Sequence, residues 1–205
     1  MQGWAGPVSS NYQQRCLDLQ HKILAKARAL GMNPVNPSFG GFVPDAFARH
    51  YPDEVVKQTD GGWGGNFAPV SYVDPTSASF AAISQTFVKF YCAEYGCNDD
   101  DVNYYAADLY NELSPPSNDL EYLSQVSNAV YDSLRATDPN AVWVTQGWMF
   151  YSDQSFWQSE QIKAFVTGPP PSSLVIIDLY AEELPIWKET DSFFGQGFIF
   201  STIFK

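Results

Sequence analysis

The sequence predicts an α/β fold of parallel strands alternating with helices, organised as a partial (β/α)8 TIM barrel with several barrel strands missing. Three observations predict it. Strand-patterned and helix-patterned segments alternate along the chain, which favours parallel strands joined by right-handed crossovers. The strands read as continuous apolar runs. Polar and aromatic groups recur where those runs stop: Asn36, Asn111-Glu112, Gln146 to Trp148, Asp178 and Glu182. An open nucleotide-binding sheet would need a glycine-rich turn directly after a strand, and none is present. A complete barrel needs eight strands and typically about 250 residues. This chain has 205 residues and only four or five strand patterns, so residues 1–205 are expected to be one incomplete barrel domain.

In chain order, Tyr12 to Leu30 reads as an amphipathic helix, with Cys16, Leu19, Ile23, Ala27 and Leu30 at helical spacing and Gly31 as its stop. Met32 to Pro37 is a short proline-interrupted strand. Residues 43 to 76 are the least regular, and their centre, Asp60 to Asn66, sets four glycines around Trp63. That stretch lacks the Lys-Ser/Thr ending of a phosphate loop. It suits a platform on which a sugar stacks against the indole, and equally a surface turn with its tryptophan tucked inward. Ser77 to Tyr95 is a second helix, with Phe80, Ile83, Phe87 and Phe90 on one stripe.

Val102 to Leu109 reads as a buried strand that delivers Asn111-Glu112 at its carboxyl end, before Pro115-Pro116. A third helix follows, capped by Ser117 or Asn118, with Leu123, Val126, Val130 and Leu134 as its core stripe. Asp138-Pro139 ends it. Ala141 to Val144 opens a strand that runs out at Gln146-Gly147-Trp148, and Ser155 to Val166 is a weaker helix. Leu174 to Leu179 is an apolar strand of the type buried on both faces. A short segment, Leu184 to Thr190, leads to a last strand at Gln196 to Phe200.

Composition narrows the function. Acidic residues outnumber basic ones 23 to 11, a formal charge of -12, which argues against nucleic acid or an anionic membrane surface as a partner. A chain that is 45% hydrophobic and 16% aromatic can build a substantial core. No stretch approaches the roughly 20 apolar residues of a membrane span. Met1 to Trp4 lacks the basic start and apolar run of a signal peptide. Cys16, Cys92 and Cys97 form no metal pattern. The spacing of Cys92 and Cys97 permits a disulfide, but buried free thiols are the favoured reading.

Two histidines without ligand spacing make a metal site or serine-histidine catalysis a poor fit, and no cofactor is expected. What remains is carboxylates among aromatic side chains. That is the combination of sugar hydrolysis, in which one carboxyl protonates the leaving oxygen and a second acts as nucleophile or base. Glu112 is the leading candidate by position, set against the plain alternative of a solvated surface carboxylate.

Five ordered motifs then carry a family resemblance. They are Leu19-Gln20-His21, Gly31 to Val35, Tyr110-Asn111-Glu112-Leu113-Ser114-Pro115-Pro116, Ala141 to Trp148, and Ile177 to Glu182. Together they resemble the alpha-N-acetylglucosaminidases of glycoside hydrolase family 89. The resemblance implies a retaining glycosidase that removes terminal alpha-linked N-acetylglucosamine from glycans such as heparan sulfate, and a lysosomal, vacuolar or secreted location. By position, Glu112 matches the general acid/base and Asn111 a sugar contact, while Trp63, Trp148, His21 and Leu179 match pocket residues. Asp178 is read as a strand-end residue that positions its neighbours.

The family's nucleophile is a glutamate in an Ala-Pro-Glu-Gly-like motif, which this sequence does not contain. The tail from Phe198 also departs from the family, which has a tryptophan where Phe200 stands here. The chain alone is therefore expected to be inactive. The alternative is a non-catalytic carbohydrate-binding remnant.

Overall fold

A computed structural model describes residues 7–57, 70–97 and 101–203. Its main feature is a five-stranded, all-parallel sheet with strand order β1-β4-β5-β6-β7. The strands are β1 (Val35–Pro37), β4 (Asn103–Ala106), β5 (Ala141–Gln146), β6 (Leu174–Asp178) and β7 (Gly197–Phe200). The connecting helices are α1 (Ser10–Ala29), α2 (Ala78–Tyr95), α3 (Leu120–Arg135), α4 (Trp148–Ser152), α5 (Ser159–Val166) and α6 (Ile186–Glu189), the last followed by a left-handed turn at Asp191–Phe194. Consecutive crossovers to neighbouring parallel strands are the build of a β/α barrel wall. The irregular region also holds an antiparallel pair, β2 (Val55–Lys57) with β3 (Ser71–Val73).

The core lies between the sheet and the helices on one side of it. In register across neighbouring strands, Asn36, Tyr105, Trp143 and Leu174 form a row on that side, each buried. Trp143 meets Phe165 of α5 edge-on at 5.7 Å, and its indole nitrogen donates to the Ala107 carbonyl (2.9 Å). The alternate residues Tyr104, Val142, Val175 and Ile177 are only half-buried. The both-faces burial expected of β6 is thus corrected: its residues alternate, because helices cover only one face among the described residues. α3 behaves as its pattern predicts, with Leu123, Val126, Val130 and Leu134 all buried. Its cap is Asp119 rather than Ser117 or Asn118, accepting the Tyr122 N–H at 2.9 Å.

The other two helix stripes shift. On α2 the buried face is Phe80, Ser84 and Val88, while Phe87 and Phe90 are exposed. On α1 only Leu24 is buried, and Cys16, Leu19 and Ile23 face outward. Both helices carry apolar residues around more of their circumference than one core face uses, so spacing alone does not choose the face. Val35 on β1 and Ile199 and Phe200 on β7 are also exposed, so both edges of the sheet are apolar.

At the amino ends of the strands, Asp138 is a buried hub. Its Oδ2 accepts from the Tyr105 hydroxyl (2.6 Å) and the Asn103 amide (2.8 Å), and its Oδ1 accepts the Asn140 N–H (2.8 Å). Burial, then the bond to Asp138, pushes the Tyr105 hydroxyl far above the ordinary tyrosine range. Beside it Cys92 and Cys97 are disulfide-bonded, with Cα atoms 4.9 Å apart. This corrects the free-thiol reading: the chain leaves α2 at Gly96 (φ 74) and turns back within reach of Cys92.

Candidate active site

The carboxyl ends of β4, β5 and β6 build the site. β4 stops at Ala106, earlier than its apolar run suggests, because side chains take over the ladder positions. The Trp143 indole occupies the Ala107 carbonyl. Asp108 Oδ1 accepts both the Gln146 backbone N–H (2.8 Å) and the Thr145 hydroxyl (3.1 Å). Released from the sheet, the chain buries Leu109 and Tyr110 and then turns tightly, with the Leu113 N–H donating to the Tyr110 carbonyl (3.1 Å).

Glu112 sits in that turn with φ 53. A positive φ is unfavourable for a residue with a Cβ, by roughly 1–2 kcal/mol. Glycine or asparagine would relieve it, so a glutamate here points to a role for its carboxylate. The turn, not the strand end itself, presents Glu112, and the side chain is exposed rather than buried.

Trp148 opens α4 one residue after Gly147, which ends the β5 connection. A Cβ on Gly147 would stand 3.1 Å from the Ile177 carbonyl oxygen, so a small residue lets the chain pass closely over β6. The Trp148 indole nitrogen donates to Glu112 Oε1 (3.1 Å). Its ring meets Tyr151 at 4.8 Å and Tyr180 at 6.5 Å, and those two tyrosines lie 5.4 Å apart. An open cleft of about 730 Å³ is lined by Glu112, Trp148, Tyr151, Ser152, Gln154 and Leu184. A carboxylate beside clustered aromatic rings can hold a proton at a glycosidic oxygen while the rings dock a sugar face.

Two acidic residues fix the surrounding loops. Asp153, just after α4, accepts from the hydroxyls of Ser114 and Ser155 (2.6 Å for Ser155) and from the Phe156 N–H (3.2 Å). It thereby ties the Glu112 turn to the loop that carries Gln154. The Ser114 bond, foremost among these, lowers its carboxyl below the usual range.

Asp178 ends β6, is 2% exposed, and accepts the Trp187 N–H of α6 at 3.1 Å. Burial outweighs that bond and raises its carboxyl above the ordinary aspartate value. A carboxyl raised on folding holds its proton more tightly in the folded state, so its contribution to stability falls as pH rises from the unfolded to the folded value. Asp178→Asn keeps an acceptor for Trp187 and removes the charge. Thermal unfolding is expected to show the variant more stable than the parent near neutral pH, with the difference vanishing in acid. A lower midpoint for the variant at both pH values would overturn this.

Of the residues assigned from sequence, the fold brings Glu112 and Trp148 together, with Asn111 half-buried in the same turn. His21 is placed elsewhere. It lies on the exposed side of α1, with Nε2 2.8 Å from Glu94 Oε1 near the end of α2 and its ring 5.0 Å from that of Tyr95. Helix-to-helix packing, not the cleft, sets its position. Leu179 is half-buried just past β6, but Leu184 and not Leu179 lines the cleft. Trp63 lies outside the described residues. The sequence reading missed Tyr151, Ser152, Gln154 and Tyr180. The i, i+3 spacing of Trp148 and Tyr151 was the available clue, hidden because no helix was expected there. Among the described residues, no group of three or more His, Cys, Asp or Glu side chains is placed to hold a metal ion, and no helix is long and apolar enough to cross a membrane.

A parallel β/α wall with a glutamate and aromatic rings on the loops beyond its strand ends is the arrangement of a barrel glycoside hydrolase. Comparison with known proteins narrows that class. The family described as "Alpha-N-acetylglucosaminidase (NAGLU) tim-barrel domain" matches residues 1–205, and the chain belongs to that family. It is 36% identical to human alpha-N-acetylglucosaminidase over 199 residues, which is 96% of this chain but 26% of the human protein.

The fold is also that of a family 89 glycoside hydrolase from Clostridium perfringens solved with 2-acetamido-1,2-dideoxynojirmycin. The TM-score is 0.71 at 22% identity, covering 92% of this chain and 20% of that one. A structure of the Clostridium enzyme with its substrate GlcNAc-alpha-1,4-galactose gives the same TM-score at 21% identity and the same coverage of both chains. This chain therefore spans about a quarter or less of the relatives it matches.

Proposed function

We propose that this chain supplies the acid/base half of a retaining alpha-N-acetylglucosaminidase site that acts on terminal alpha-linked N-acetylglucosamine. The observation that carries the proposal is the Glu112 carboxylate, held on a positive-φ turn and engaged by Trp148 in an aromatic cleft. In the first step Glu112 donates its proton to the glycosidic oxygen as the bond to the anomeric carbon breaks. In the second it takes a proton from the water that attacks the glycosyl-enzyme. Asn111 contacts the sugar from the same turn, and Trp148, Tyr151 and Tyr180 exclude water from one side.

The reaction needs a second carboxylate about 5–5.5 Å from the first. Among the described residues that line this cleft, Glu112 is the one carboxylate, which favours binding without turnover for residues 1–205 alone. The test is to titrate the purified chain with N-acetylglucosamine while following tryptophan fluorescence, and to assay it on an aryl alpha-N-acetylglucosaminide. Saturable quenching that is lost in Trp148→Phe, with no hydrolysis, is the expected result. Substantial hydrolysis by the chain would overturn the half-site reading. Absence of any binding would overturn the cleft as a sugar site.

A further inference from the structure

A glutamate at φ 53 keeps that conformation only where its surroundings hold it there. Hydrogen bonds at both ends of α4 do so. At the amino end, the Trp148 indole donates to Glu112 Oε1 (3.1 Å). Just past the carboxyl end, Asp153 Oδ2 accepts from the Ser114 hydroxyl, a bond between residues 39 positions apart. α4 has five residues and is therefore only about 7.5 Å long at 1.5 Å per residue. Glu112 and Ser114, two apart in the chain, thus reach both ends of one short helix.

Asp153 is itself anchored. Its Oδ1 accepts from the Ser155 hydroxyl (2.6 Å) and the Phe156 N–H (3.2 Å), which leaves Oδ2 to Ser114. Its carbonyl accepts the Trp157 N–H (3.0 Å). The Trp157 ring is buried edge-on against Phe150 (5.1 Å) and Phe165 (5.4 Å). The carboxylate therefore has little rotational freedom, and the core fixes where it stands. On the other side, Ser114 lies between Leu113 and Pro115, both buried. The bonds to Ser155 and Phe156 are enough to close the local loop after α4. The bond to Ser114 adds nothing to that loop and acts on the Glu112 turn alone. A hydroxyl donating to an ionised carboxylate makes one of the stronger hydrogen bonds, and this one is the main reason the Asp153 carboxyl lies below its usual range.

We propose that Asp153 is a positioning residue for the acid/base: acting through Ser114, it holds the turn so that the Glu112 carboxylate stays on the Trp148 indole and faces the cleft. The proposal rests on the reading of the Glu112 cleft as the N-acetylglucosamine site. Asp153 does not line that cleft, so its effect is geometric. Without it the turn is held at one end of α4 only. The fraction of molecules with Glu112 in place then falls, and the apparent affinity for the sugar falls by the same fraction.

The experiment records the indole N–H signals of the 15N-labelled 205-residue chain, with Trp148 assigned from Trp148→Phe, and titrates the chain with N-acetylglucosamine. Ser114→Ala removes the long-range bond and leaves the local bonds of Asp153 in place. It should move the Trp148 signal toward that of an unbonded indole and weaken the sugar about three- to tenfold, as expected for one such bond. Asp153→Ala should do the same and also lower the thermal midpoint, because the local bonds are lost as well. Asp153→Asn should restore most of the Trp148 signal and the affinity, since its amide can still bond Ser114. Adding Ser114→Ala to Asp153→Ala should weaken the sugar no further, because both remove the same bond. Ser155→Ala, at an exposed position, takes a local bond from the same carboxylate and should change neither the Trp148 signal nor the affinity.

A Trp148 signal that stays in place in Ser114→Ala and Asp153→Ala, while the parent chain binds the sugar, overturns the positioning role and leaves the cleft assignment intact. A lower midpoint for Asp153→Ala with Trp148 unmoved marks a purely structural residue and overturns it in the same way. Effects of Ser155→Ala equal to those of Ser114→Ala also overturn it, since the Ser114 bond would then have no separate part. Failure of the parent chain to bind overturns the cleft assignment, and the positioning role with it.

Discussion

Glu112→Gln, introduced into an enzyme that carries this segment within a complete family barrel, is expected to lower kcat on an oligosaccharide by about 10²–10⁴-fold, the usual worth of a positioned proton donor. Glutamine keeps the shape of the side chain and an acceptor for the Trp148 indole, so the turn should hold its conformation. KM should change far less than kcat, because the lost interaction is made in the transition state and not in the bound substrate. A diagnostic lies in the leaving group. An aryl glycoside whose phenolate departs without protonation should lose much less in the glycosylation step than an oligosaccharide does. Equal losses on both substrates, or a loss confined to KM, would remove Glu112 from the proton-transfer role. Glu112→Gly is a useful companion, since it relieves the positive φ while removing the acid. It should be at least as stable as the parent and as inactive as the glutamine variant.

Trp143→Ala is expected to be the most damaging single change to folding. The side chain is fully buried, meets Phe165 edge-on and donates to the Ala107 carbonyl. Truncating a buried tryptophan costs about 3–5 kcal/mol, a large part of the 5–15 kcal/mol that usually separates folded from unfolded domains. Urea unfolding followed by circular dichroism should show the midpoint fall with the slope unchanged. Trp143→Phe separates the two contributions. It keeps an aromatic contact with Phe165 and leaves the Ala107 carbonyl without its donor, at a cost of about 1–3 kcal/mol. A loss near 5 kcal/mol for phenylalanine as well would mean that the hydrogen bond, rather than the ring, closes β4.

These two sites show how much of the molecule is legible in its residues. The Tyr110 to Pro116 stretch marks Glu112 by chemistry that is local: an apolar run, an Asn-Glu pair, then two prolines that bar further pairing. The α3 stripe is legible for the same reason, since Leu123, Val126, Val130 and Leu134 fit only one face. His21 is the contrary case. Its place in a family-like motif pointed to the pocket, whereas its partners are Glu94 and Tyr95, which follow it by more than seventy positions. Periodicity does not show which face of α1 a second helix will cover. The early end of β4 was hidden similarly, because the groups that replace its ladder come from Trp143 and from the pairing of Asp108 with the start of the β5 connection.

The sequence by itself determined the alternation of strands and helices, the parallel sheet, the acidic balance that argues against nucleic acid, and the glutamate proposed as the acid/base. These follow from patterns within a few residues of one another. The tertiary structure decided that Glu112 stands on a strained turn and not on a strand, that Trp148, Tyr151 and Tyr180 converge beside it, and that Cys92 and Cys97 are joined. It also decided that Leu184 rather than Leu179 lines the cleft. The physical reason is common to all four. Each depends on where one loop or turn lies relative to another after packing, and such positions are set by the whole fold, not by the few residues that occupy them.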